Sequence, residues 1–135
     1  MQLTDAQDQV VRSIAARAPA GWERIAVDCE VLAEHGGHTV DYVAVAVVRQ
    51  GGELSDPQIE LDPAIERAVV DLYDAVRAGE QRRTIGGFDL TIDADGRYRF
   101  DFNYGKPRRL SGEWDEARAE RMDNYLAHYR AEKAA

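Results

Sequence analysis

Apolar and polar positions alternate most regularly near the end of the chain. In Arg83–Tyr104, Phe88, Leu90 and Ile92 fall on one side of a first run, with Asp89, Thr91 and Asp93 opposite. In a second run Tyr98, Phe100, Phe102 and Tyr104 alternate with Arg97, Arg99, Asp101 and Asn103. A strand repeats every two residues, so each run is a ribbon with one apolar and one charged face. Asp95-Gly96 between them supplies the positive φ of a tight turn, which predicts a β-hairpin with an aromatic underside. Upstream, Ile25, Val27, Cys29 and Val31 alternate with Ala26, Asp28 and Glu30, predicting a strand with one wet side. Thr39–Arg49 is apolar on both faces (Tyr42, Ala44, Ala46, Val48 against Val43, Val45, Val47), as expected for a central strand or one covered on its second face.

Three segments carry helical spacing instead. Val10, Val11, Ile14 and Ala18 predict a helix from Thr4, a candidate N-cap, to a stop at Pro19. Asp62-Pro63 starts a second, with Ile65, Val69, Leu72, Tyr73 and Val76 on its stripe and Gly79 as a left-handed stop. A third follows Ser111, with Trp114, Met122, Tyr125, Leu126 and Tyr129 on its apolar side. Gln50–Glu60 reads as a loop, as does His35–His38, and Gly86-Gly87 as a bulge or a close backbone approach. The expected fold is therefore α+β, one domain over residues 1–135 in the order α-β-β-α-β-β-α. Its four-stranded, mainly antiparallel sheet would carry the helices on one face. The other face, bearing Asp28, Glu30, Asp89, Asp93, Asp101, Arg97 and Arg99, would be polar and open.

Composition narrows the partners. The chain has 135 residues, 44% of them hydrophobic and 31% charged, with a formal net charge of −8 and a pI near 4.8. That excess of acid disfavours direct nucleic-acid binding, which depends on Lys and Arg displacing counterions. It suits a basic protein partner, although solubility alone also explains it. No basic-then-apolar N-terminal run reads as a signal peptide, and Val43–Val48 is far too short to span a bilayer. A cytoplasmic protein without membrane association is the expectation.

No residue set predicts catalysis. His35 and His38 flank two glycines with no third ligand nearby, so solvated loop histidines are favoured over a metal pair. Acid pairs such as Asp28/Glu30 and Asp93/Asp95 lie on an exposed face or a hairpin tip rather than in a pocket. Cys29 reads as a small buried residue. No cofactor is expected.

The element order, together with Pro19-Ala20-Gly21-Trp22-Glu23, the strand Ile25–Val31, the helix residues Leu72-Tyr73-Asp74-Ala75-Val76-Arg77 and the hairpin Asp95–Tyr104, resembles the YezG-like immunity proteins. These are antitoxins of bacterial polymorphic toxins, including the EsaG-type nuclease antitoxins. The resemblance spans nearly the whole chain and implies a non-enzymatic inhibitor that binds a cognate toxin, often a nuclease. An acidic inhibitor can occupy the basic groove of a nuclease, so Asp28, Glu30, Asp89, Asp93 and Asp101 are candidate partner contacts. Glu53, Asp56 and Glu60 of the long loop join them, with Tyr42 as an aromatic anchor. Plain solvent exposure is an equally good account of these residues. A dimeric adaptor joined through the second face of Val43–Val48, or a small-ligand-binding protein, is the alternative.

Overall fold

A computed structural model describes all residues from Met1 to Ala135. The elements run α1 (Leu3–Ala15), β1 (Trp22–Glu34), β2 (Gly37–Gln50), β3 (Glu53–Ser55), α2 (Pro63–Ala78), β4 (Gly87–Asp93), β5 (Tyr98–Asn103), α3 (Glu116–Asp123) and α4 (Tyr125–Ala134). They build an α+β fold on one antiparallel sheet ordered β3-β2-β1-β4-β5. The sheet has five strands rather than four, because part of the Gln50–Glu60 loop pairs with β2 as β3 (Val48↔Ser55, Gln50↔Glu53).

The long β1–β2 hairpin closes through His35-Gly36, both at positive φ (54° and 78°), the signature of a two-residue turn matched to strand twist. The expected four-residue loop shrinks to this turn, and Gly37 and His38 belong to β2. The β4–β5 hairpin turns at Asp95-Gly96, with Gly96 at φ 93°. Gly87 is needed where β4 approaches β1, since a Cβ there would lie 2.2 Å from the Cys29 carbonyl oxygen. On α2, the Asp62 side chain accepts from the Ile65 amide at 2.8 Å, as the Asp-Pro start implied. Two helix ends differ from expectation. α1 begins after Gln2 without a side-chain cap, and Gly79 stops α2 in an extended conformation (φ −68°, ψ 172°) rather than a left-handed one.

Helices cover both faces of the sheet, and this overturns the expected one-sided arrangement. On one face α1 and α2 close over the larger core, which includes Ile25, Val27, Cys29, Ala44, Ala46, Phe88, Leu90 and Ile92. On the other, Met122, Tyr125 and Tyr129 of the C-terminal helices pack on Ala26, Val45 and Val47. The second face of the Val43–Val48 stretch is thus covered by the chain's own C-terminus and is not free to form a dimer. β1, expected to have a wet side, is buried on both sides from Ile25 to Val31. No helix is long and apolar enough to cross a membrane.

Candidate functional site

Burying β1 on both sides puts two carboxylates beneath the C-terminal layer. Asp28 is 2% and Glu30 4% exposed. Carboxylates taken out of water need counter-charges and donors, and the segment after β5 delivers them. Gly86 lets that segment cross closely, since a Cβ there would lie 2.1 Å from the Gly105 carbonyl oxygen. Arg109 then enters the sheet face. Its Nε donates to Asp41 Oδ2 at 2.6 Å, and its Nη1 lies 3.0 Å from Asp28 Oδ2 and 3.7 Å from Glu30 Oε2. The Leu110 amide donates to Glu30 Oε1 at 3.1 Å.

In the first turn of α3, Arg118 completes the network. Its Nε and Nη2 donate to Asp28 Oδ2 and Oδ1 at 3.2 and 2.9 Å, and Nη2 also donates to Asp89 Oδ1 at 2.8 Å. The Asp115 side chain caps the helix by accepting from the Arg118 amide at 3.2 Å, which fixes where Arg118 starts its reach. The hydrogen bonds to Asp28 hold Arg118 more firmly protonated than a free guanidinium. Burial pushes the Asp89 carboxyl above its ordinary range; Arg118 and Arg121 pull it down, while Asp28 adds to the rise. A second tie anchors α4: Arg24 donates to Asp93 Oδ1 at 2.7 Å and to Glu132 Oε2 at 2.6 Å, and the Tyr129 hydroxyl donates to Glu23 Oε1 at 2.9 Å.

These contacts redistribute the residues expected to meet a partner. Asp28 and Glu30 are inside, so the open acidic sheet face does not exist. Asp89 is half-buried against Arg118, Asp93 holds Arg24, and Asp101 is exposed with Arg99 at 3.3 Å. Tyr42 is packed against the larger core with its hydroxyl buried and unpartnered, and burial raises its phenol pKa well above normal, so it does not project as an anchor. Glu53 and Glu60 are exposed, as Asp101 is, and Asp56 is half-exposed. Elsewhere, His38 lies edge-on to Tyr73 (5.3 Å between centroids) and 3.7 Å from Asp74. Burial, reinforced by the charge of Asp28, raises the Cys29 thiol far above its usual value, which keeps it in the unreactive thiol form.

The residue missed by sequence reasoning is Trp114. Assigned to the apolar side of a helix, it stands just before α3 and is 69% exposed. It rims a hollow of about 240 Å³ lined also by Val43, Met122, Asp41 and Asp123, together with Arg109 and Arg118. Glu116, Glu120 and Asp123 of α3 are exposed near it in the chain. The signal available was Glu113-Trp114-Asp115-Glu116, an aromatic enclosed by acids at the point where a helix starts. No protein-family model matches this chain, and a comparison with curated protein sequences finds no match.

Proposed function

We propose that this protein is an immunity protein that neutralises a cognate bacterial toxin by direct contact rather than by turnover, the toxin being a basic domain such as a nuclease. The observation that carries this reading is Trp114. Trp is highly buried on average, this one is 69% exposed, and Trp is among the residue types enriched in the few positions that dominate binding energy at interfaces. Asp41 and Asp123 line the hollow that Trp114 rims, Glu116 and Glu120 are exposed on the adjoining α3, and on a chain of net charge −8 they supply the potential that attracts a basic surface and excludes an acidic one. The exposed acids Glu53 and Glu60 extend the same chemistry along the β3 end of the sheet, where Leu54 joins the cluster under α4. The resemblance to the YezG-like immunity proteins supports the same conclusion.

The test uses the toxin-like product of the neighbouring reading frame, prepared as a catalytically dead domain for binding and as the active form for rescue. The full chain should bind it one to one and restore growth to cells producing the active form. Trp114→Ala should weaken binding about thirtyfold, equivalent to about 2 kcal/mol, and should leave thermal stability unchanged because the ring is exposed. Absence of binding and of rescue by the wild-type chain would remove the proposal.

A further inference from the structure

The two ends of the sheet are finished differently. β3 is three residues long and is followed by Pro57, and short edge strands and prolines both discourage a free edge from pairing. β5, Tyr98–Asn103, is the last strand at the other end and contains neither proline nor lysine. Its inner side is occupied. The Asp93 amide donates to the Arg97 carbonyl at 2.8 Å, and the register continues Ile92↔Tyr98, Thr91↔Arg99, Leu90↔Phe100, Asp89↔Asp101. Hydrogen-bonded and non-bonded pairs alternate along an antiparallel ladder. Arg99 and Asp101 therefore turn their backbone groups toward β4, whereas Tyr98, Phe100 and Phe102 turn theirs to the free edge.

That edge is complementary to itself. When two copies of β5 run antiparallel about a two-fold axis at Phe100, Phe100 meets its own equivalent and Tyr98 meets Phe102. These are the residues whose amides and carbonyls point outward, so they form the bonded pairs of the new ladder. Arg99 then falls opposite Asp101, and the axis repeats the match. This is the non-bonded position, where opposing side chains come closest. Within one chain Arg99 already reaches Asp101 at 3.3 Å, so pairing closes two such contacts into a square of alternating charge. On the other face the half-buried rings of Tyr98, Phe100 and Phe102, the last two stacked at 5.6 Å and 15°, meet the same rings of the second copy. Arg97 and Arg99 offset Asp95 and Asp101, so two copies of a strongly acidic chain meet along a neutral strip.

We propose that this chain forms a two-fold homodimer by antiparallel pairing of β5 with β5, continuing one sheet across both copies. The interface uses none of the residues around Trp114, so it stands or falls separately from the toxin-binding reading.

Sedimentation equilibrium of the full chain tests it. The wild type should sediment at twice 15.1 kDa at micromolar concentration. Arg99→Asp and, separately, Asp101→Arg each set like charges opposite one another, and each should raise the dimer dissociation constant at least about tenfold. The side chains are 79% and 58% exposed, so both variants keep the wild-type circular dichroism, and each should melt no lower than the wild type does when diluted to its monomer. Mixing the two variants restores opposite charges across the axis and should give a heterodimer, and the double exchange Arg99→Asp/Asp101→Arg should restore the homodimer. A monomeric wild type overturns the proposal and leaves the edge to a strand of some other protein. A dimer indifferent to both substitutions, or one that mixing does not restore, also overturns it.

Discussion

Asp28 carries the heaviest obligations of any single side chain, because two arginines converge on it in a place with almost no water. Truncating one member of a buried ion pair strands the charge that remains, at about 3–5 kcal/mol. Asp28→Ala should therefore lower unfolding free energy by that amount in urea titrations, although a surface aspartate would be nearly silent. Asp89 behaves differently. Its folded-state pKa is raised, so the fold favours its neutral form. The associated stability is fully present below the unfolded value of about 4 and is lost as pH rises through the folded value. Asp89→Asn should hence melt at or above the wild-type temperature at pH 7, with the difference closing as pH falls toward 4. Gly87→Ala should cost about 3 kcal/mol, since a methyl there meets the backbone of β1 rather than a movable side chain.

Among the elements, α4 is held by contacts that titrate at both ends of the pH scale. Hydrogen bonds from Arg49 and then Tyr129 lower the Glu23 pKa, so this stabilisation is present above its unfolded value of about 4.5 and fades as pH falls through the folded one. Burial, and then the bond to Glu23, raises Tyr129 to about 12; that contribution persists below the unfolded value of about 10 and disappears as pH climbs to 12. Protection of the α4 amides, taken relative to their intrinsic exchange at the same pH, should fall at both extremes, and Tyr129→Phe should abolish the alkaline fall. α1, α2 and the two hairpins were legible because each has a long run of one period. β3 was not, since Glu53-Leu54-Ser55 is too short to show a period and sits among glycines and a proline. The second helical layer escaped for a different reason. Asp28 and Glu30 look like a solvated strand face unless the doubly apolar β2 beside them is taken to mean that the same side is covered. Arg109 and Arg118 then become the counter-ions that such a cover must bring. Trp114 failed at the boundary: spacing placed it on a helix that begins two residues later, at Glu116.

On the scale of the whole molecule, the negative field and the ion network are separate devices. The carboxylates that define the interior are neutralised by arginines, so the potential seen by a partner comes from acids such as Glu53, Glu60, Glu116 and Asp123. On the function proposed above, association with a basic toxin domain should slow as salt is raised, because the screening length shrinks to about 10 Å at 0.1 M and further above it. Stopped-flow rates should show that slope in the wild type and lose most of it in Glu116→Lys/Asp123→Lys, with dissociation changed less. The stitching of the C-terminal arginines to β1 has a further outcome during synthesis. The ribosome releases Asp28 and Glu30 long before Arg109 and Arg118, and until those cations arrive the two acids must stay hydrated. A nascent chain can thus assemble its α1–α2 side early but cannot dry the opposite side until translation is almost finished, and a product cut short before Arg109 should reach the cell's proteases with that side still wet.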